Sequence, residues 1–244
     1  MYGFRARLGF LLAPGNSVFE NEVLEMLPHG VTAHFTRIPL RKVTRDDYVN
    51  WTTEIEQHSK VFVPTQVKCI GIANAMGSFM IGREGDLNLM KRVREATGVG
   101  CTTVMSSILF ALRKLGATKI CLVLPYENEE FDALLGRYFN HDDMTVMEKQ
   151  NLSISGDKLW SEVSKQDPLV TYELGMRLAK RDIDAIVSPN TNLRSVEIIE
   201  NLENDAGKPV VTGTQSLVWS SLRLAGITDK IGGKGKIFEL SDAV

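Results

Sequence analysis

The sequence predicts an α/β protein made of two pseudo-symmetric, four-stranded parallel-sheet lobes with a cleft between them. Three observations carry that expectation. Eight short apolar runs alternate along the 244 residues with eight stretches of helical period, the pattern of parallel sheets covered by helices on both faces. The chain also resembles itself three times in the same order at an offset of roughly 110 residues. "RLGFLLAPGN" sits against "KICLVLPYEN", "CIGIANAMGS" against "DAIVSPNTNL", and "CTTVMSSILFALRKLG" against "VTGTQSLVWSSLRLAG". Finally, two of the apolar runs turn polar at an asparagine, Asn74 in "IANAMGS" and Asn190 in "VSPNTNLRS".

Each element follows from its local pattern. In the first half, "RLGFLL" (7–12), 32–38, 68–73 and 99–102 read as strands, because their apolar residues are continuous or alternate over four to seven positions. Helical spacing fills 17–26, 46–58, 86–96 and 105–115, and Ser17 is the expected N-cap of the first of these. In the second half, strands are expected at 119–124, 142–148, 184–188 and 209–212. The helices there are 128–139, 169–180, 193–204 and 216–224, and the turn at 190–192 opens the helix from Leu193. These elements assign residues 1–107, completed by 216–244, to the first lobe and 108–215 to the second. The glycine-rich "GGKGK" from Gly232 has no preceding strand and no Ser or Thr after its last lysine, so it is not a phosphate loop. It reads as a mobile flap near the end of the chain.

Composition narrows the partners. With 28 Lys and Arg against 30 Asp and Glu, no broad field favours nucleic acid or an anionic membrane surface. The longest apolar runs are strand-sized, and the start of the chain has no leader pattern, so the expected location is cytoplasmic. Association into a homo-oligomer is compatible with the sequence. Cys69, Cys101 and Cys121 are odd in number, lie in strand-like runs and form no metal-binding pattern, which makes them reduced, buried thiols.

Ligands of open α/β sheets bind outside the carboxyl ends of the strands. The predicted cleft is therefore lined by 14–17, 74–78, 126–128 and 190–194, with Asn74 and Asn190 as equivalent positions facing each other. At these residues the chain resembles the Asp/Glu racemase superfamily, and within it the maleate cis-trans isomerase and arylmalonate decarboxylase branch. The resemblance runs from "RLGFLLAPGNSVFENE" through "GIANAMGSF", "LRKLGATKICLVLPY" and "VSPNTNLRS" to "GKPVVTGTQSLVWSSLRLAG".

That resemblance implies a small carboxylate or dicarboxylate substrate, no metal and no organic cofactor. It also implies chemistry at the carbon next to a carboxylate, commonly through one thiol per lobe in motifs resembling A-C-T-x-G-S and S-C-T-N-L-R. Here Asn74 and Asn190 occupy both thiol positions. A carboxamide does not ionise near neutral pH, so it offers donors and an acceptor but neither base nor nucleophile. Two-base racemisation and thiol-dependent isomerisation are thereby disfavoured. The remaining candidates are Tyr126 as a catalytic hydroxyl alongside Asn74 and Asn190, with Asn16, Gly77, Ser78, Thr191 and Asn192 as substrate-binding residues.

Each candidate also has an ordinary reading. Asn16 can serve as a capping residue, Tyr126 as a strand-end tyrosine, and the asparagine pair as turn formers. Thr102 and Thr212 read as equivalent buried hydroxyls, His34 as a packed residue, and Arg37 either as a ligand contact or as a brace at the sheet edge. Two functions follow: a thiol-free, cofactor-independent enzyme of decarboxylase, lyase or isomerase type, or a catalytically inactive member that only binds a carboxylate.

Overall fold

A computed structural model of the protein describes residues 2–40, 44–154 and 159–240. Its eight strands form two four-stranded parallel sheets of the same order. The first, β2-β1-β3-β4, consists of β1 (Ala6–Leu12), β2 (Val31–Arg37), β3 (Cys69–Ala73) and β4 (Gly100–Thr103). The second, β6-β5-β7-β8, consists of β5 (Lys119–Tyr126), β6 (Thr145–Ile154), β7 (Ala185–Ser188) and β8 (Val210–Thr212). Adding four to each label of the first sheet gives the second, so the internal repeat read in the sequence is a repeat of topology. Strands β3, β7 and β8 are buried throughout, and β5 is buried at all but Lys119, as expected when both faces of a sheet are covered.

Helices α1 (Phe19–Glu25), α2 (Arg45–Thr53), α3 (Ile55–Ser59), α4 (Ala75–Thr97) and α5 (Val104–Lys114) belong to the first half of the chain. Helices α6 (Glu129–Asn140), α7 (Leu159–Ser164), α8 (Pro168–Leu178), α9 (Ile199–Ala206) and α10 (Gly213–Leu224) belong to the second. Every residue of α10 from Gly213 to Arg223 is buried. It packs against α5, its counterpart in the repeat, and against β3, β4 and α1. Phe110 and Trp219 stack across the α5–α10 contact with ring centroids 5.3 Å apart, a geometry aromatic pairs favour.

Several expectations are corrected. The expected helix 46–58 divides at Glu54 into α2 and α3, and α7 was not anticipated. The strand expected at 142–148 begins only at Thr145, because Asp143 takes a left-handed backbone (φ 61°) and Asp142 turns to pair with Arg83 at 2.7 Å. Helix α4 starts eleven residues before the expected 86, since Asn74 caps it at Ala75. Three glycines in "AMGSFMIGREG" had masked that helical turn. One of them, Gly82, does break the helix at φ 73° and ψ 176°, a backbone that only glycine adopts without strain.

Helix α9 begins at Ile199, so residues 190–198 are a loop and not the first turns of the expected helix from Leu193. Ser17 is exposed and caps nothing; Asn16 takes that role. The repeat also slips by one residue in the side chains that cap α5 and α10: Thr103, and not Thr102, does what Thr212 does. Thr102 instead bonds the Ser107 hydroxyl at 2.9 Å.

The "GGKGK" segment is not a flap within the described residues. Lys236 N–H donates to buried Glu203 at 2.8 Å, Lys234 carbonyl accepts from Gln215 at 2.7 Å, and the Lys234 ammonium meets Glu25 at 3.0 Å. The three thiols are free, and burial pushes each upward, Cys69 to about 12. No helix among the described residues is long and apolar enough to cross a membrane.

A buried polar hub joins α4 to the start of α5 and to α6. Asp86, fully buried, accepts from the hydroxyls of Thr103 (2.8 Å), Ser106 (2.7 Å) and Tyr138 (2.6 Å). Arg83 donates to Ser106 at 2.7 Å and reaches Asp142. Hydrogen bonds to a buried charge contribute roughly 1.5–3 kcal/mol each, and a deleted acceptor strands its donors. Asp86→Ala is therefore expected to lower unfolding free energy by about 3 kcal/mol or more in urea titration; a loss under about 1 kcal/mol would show that the three hydroxyls re-pair without it.

Candidate active site

The carboxyl ends of both sheets open onto one cavity of about 490 Å³, its mouth included. Asn74, Asn190, Asn16, Tyr126, Thr191 and Asn192 all line it, so six of the eight expected residues meet in one place. Ala13, Ala73, Ala75, Met76 and Val163 supply apolar wall, and Tyr48 of α2 completes the lining. Tyr48 was missed in the sequence because nothing in "DDYVNW" separates it from an ordinary core aromatic; only the fold of α2 over the sheet edge brings it in.

Asn74 shows why an asparagine sits at this strand end. It leaves β3 in a non-helical conformation and caps α4, its Oδ1 accepting the Gly77 N–H at 3.1 Å. Backbone N–H groups only donate, so this bond fixes which end of the amide is oxygen. The other end, Nδ2, is buried and has no hydrogen-bond partner among the described residues. Gly77 and Ser78 stand behind Asn74 and do not line the cavity. A Cβ on Gly77 would come within 3.1 Å of Asn74 Nδ2, and the Ser78 hydroxyl donates to the Asn74 carbonyl at 3.4 Å.

The second lobe repeats the device with different geometry. Asn190 Oδ1 accepts the Asn192 N–H at 2.7 Å, a turn closed by the side chain. Its Nδ2 has no hydrogen-bond partner among the described residues. The loop can pass here because residue 213 is glycine: a Cβ would lie 2.4 Å from the Pro189 carbonyl oxygen.

Asn16 and Asn192 stitch the two lobes together. Asn16 Oδ1 accepts the Val18 and Phe19 N–H groups at 3.1 and 3.0 Å, while its Nδ2 donates to the carbonyl and hydroxyl of Thr191 at 3.2 and 3.0 Å. Asn192 Oδ1 accepts the Ser17 N–H at 2.9 Å. The capping reading of Asn16 thus holds, and it reaches the cavity with its amide already engaged. Arg37 braces the same turn, donating to the Asn16 carbonyl at 2.6 Å and pairing with Glu20 at 2.8 Å, so the sheet-edge reading holds for it. His34 bonds Thr32 within β2, and partial burial lowers its pKa.

Tyr126 ends β5 with its ring edge-on to Phe131. Burial pushes its phenol well above the ordinary value, with the neighbouring Tyr48 and Asp132 adding to the shift. The hydroxyl therefore keeps its proton and acts as a donor, with no hydrogen-bond partner among the described residues. No cluster of three or more His, Cys, Asp or Glu suited to a metal occurs among the described residues.

A buried acid behind the loop was also missed. Glu22 of α1 accepts the Ser195 and Val196 N–H groups at 2.7 and 2.9 Å, holding the non-helical segment that carries Asn190 to Asn192. The available signal was a charge on the apolar face of "FENEVLEM".

A family model described as arylmalonate decarboxylase matches residues 8–238. The chain belongs to that family. An arylmalonate decarboxylase from Bordetella bronchiseptica is 26% identical over 205 residues, covering 83% of this chain and 84% of the relative. A maleate isomerase from Pseudomonas putida is 23% identical over 245 residues, covering 95% and 96%. Among solved structures, a Nocardia farcinica maleate cis-trans isomerase bound to TRIS superposes with a TM-score of 0.86 at 19% identity, covering 96% of this chain and 97% of that one. An arylmalonate decarboxylase structure gives 0.80 at 22% identity, covering 96% and 100%. The relatives thus include both a decarboxylase and an isomerase, and solved structures of both share this two-lobed α/β fold.

Glu22 supplies a test of how the loop is held. Burial raises its pKa against the opposing pull of the Val196 and Ser195 N–H groups and the Thr214 hydroxyl. A raised folded-state pKa stabilises fully below the unfolded glutamate value of about 4.3 and loses that contribution as pH rises through the folded value. Glu22→Gln keeps an acceptor for both N–H groups but cannot ionise. Relative to the parent, the variant is expected to gain stability as pH rises from about 4.5 to 8, by at most about 1.4 kcal/mol per pH unit; parallel stability–pH curves from chemical denaturation would refute it.

Proposed function

We propose that the cleft is the active site of a thiol-free, cofactor-independent enzyme that breaks a bond at the carbon next to a carboxylate, in the manner of a decarboxylase. The observation that carries this reading is that Asn74 at the N-terminus of α4, its Nδ2 without a partner among the described residues, lines the same cavity as Tyr126, whose phenol burial keeps protonated. Donors fixed around developing negative charge lower the barrier most where water is excluded. The family relatives named arylmalonate decarboxylase and maleate isomerase support a small carboxylate substrate.

Decarboxylation is the step that asks least of such a site. The carbon–carbon bond to the departing carboxylate breaks, carbon dioxide leaves, and the electron pair becomes an enediolate on the remaining carboxylate. Asn74 Nδ2, Asn190 Nδ2 and the α4 dipole stabilise that oxyanion. Tyr126 then gives its proton to the carbon and is reprotonated from water. An enediolate is basic enough to take a proton from a phenol of raised pKa. Isomerisation through a covalent adduct requires a nucleophile, and neither asparagine supplies one.

The second reading, a carboxylate-binding member without turnover, is favoured by one observation: no histidine, cysteine, lysine or carboxylate is among the described residues lining the cavity. Incubation with α-substituted malonates in deuterated water separates the two. The enzyme reading expects carbon dioxide release with one deuterium in the product, and Tyr126→Phe slower by about 100-fold or more, the range of general-acid contributions. Thermal stabilisation by the acids without release of carbon dioxide would select the binding reading.

A further inference from the structure

The two lobes build the wall of the cleft from the same stretch of the repeat, but in different ways. Nine residues after Asn74 regular helix runs on from Arg83, and nine residues after its counterpart Asn190 a helix begins at Ile199. The stretches in between, 75–81 and 191–197, supply cavity-lining residues in both lobes. In the second lobe the stretch is a loop, which Glu22 holds by two backbone N–H groups. In the first lobe it is helical, and the single residue Asn74 joins it to the end of β3, so the link has no slack. The helix beyond it is fixed from outside. Arg83 donates to the Ser106 hydroxyl at 2.7 Å, Asp86 accepts three hydroxyls, and Arg92 bonds the Thr52 carbonyl at 3.1 Å and the Glu56 carboxylate at 2.6 Å. The sheet edge and the anchored helix each impose a direction, and the chain changes from one to the other at Gly82, with φ 73° and ψ 176°.

We propose that Gly82 is a positioning residue of the cleft: by uncoupling the turns at 75–81 from the rest of α4, it sets the angle at which Asn74, Ala75 and Met76 line the cavity. For the identity of the ligand this rests on the carboxylate reading of the site. The backbone at residue 82 lies in a region that only glycine enters without strain. It is the mirror image of ordinary extended backbone, so a D-residue adopts it freely. Space is not the constraint, because a Cβ at residue 82 would meet nothing within 4 Å. An L side chain there acts through the backbone alone: it drives φ negative and swings 75–81 against the cavity while Arg83 and Asp86 hold the rest of the helix in place.

The test uses the protein's own cysteines. Ligation at Lys68–Cys69 and at Gly100–Cys101 admits a synthetic 69–100 segment with glycine, L-alanine or D-alanine at position 82 and an isotope-labelled methyl on Met76. Gly82→Ala is expected to move the Met76 methyl resonance in the unliganded protein and to weaken calorimetric binding of phenylmalonate and phenylacetate at least about tenfold. The D-alanine protein is expected to match the glycine protein in both. Gly98→Ala is the control, at another positive-φ glycine (71°) with nothing within 4 Å of a Cβ, at the far end of α4. It is expected to melt lower and to leave both readings unchanged. A folded Gly82→Ala protein with the parent's methyl position or the parent's affinity overturns the proposal. A D-alanine protein as impaired as the L-alanine one also overturns it, since the added methyl and not the backbone would then be responsible. Failure of Gly82→Ala to fold where Gly98→Ala folds makes residue 82 a requirement of the fold, and overturns it too. Should neither acid bind the glycine protein, the carboxylate reading falls, and the unliganded Met76 resonance still decides the role of Gly82.

Discussion

At the carboxyl ends of the central strands the chain must turn, and the backbone N–H groups freed by each turn are buried or half-buried. They need acceptors supplied by the protein. Asparagine meets that need around the cleft at positions 16, 74, 190 and 192, and again at Asn128 after β5. Much else about the site follows from this requirement. The turns take their shape from it, Asn16 and Asn192 join the lobes through it, and the amide faces left over are donors.

Packing holds those turns opposite each other. Helices α5 and α10 occupy equivalent places in the two halves, and their contact, with Phe110 stacked on Trp219, lies at the centre of the molecule. A helix buried on every side, as α10 is, cannot shift without opening cavities. The Asp86 hub adds a polar joint between α4 and α6, and the kink at Gly82 lies between that joint and the Asn74 cap. The first-lobe donor is therefore mounted on a short helical segment anchored at both ends.

The two lobes are alike in topology but not in how they present their asparagines. Asn74 caps a helix and contributes that helix's dipole to the cleft, whereas Asn190 closes a turn in a loop that becomes helical only at Ile199. In place of a helix N-terminus, the second lobe relies on Glu22, which reaches from α1 to hold the loop by two backbone N–H groups. The geometry of the second lobe's loop thus depends on an acid that belongs to its neighbour.

How much of this was legible in advance divides along a physical line. Apolar runs, helical period and the internal repeat are properties of short stretches, and they were enough to place all eight strands, the duplication, the family resemblance and the position of Asn74 and Asn190 at strand ends. Local rules erred where a distant group decided the outcome. Three glycines hid the first turns of α4, and Ser17 looked like a cap until Asn16 proved better placed. "GGKGK" looked mobile because its partners, Glu203 and Gln215, lie in another part of the chain. Which end of each asparagine faces the cleft could not be read from residue types at all. An amide has a donor and an acceptor in equal measure, and only the backbone N–H groups delivered by the tertiary fold decide which of the two is left for a ligand.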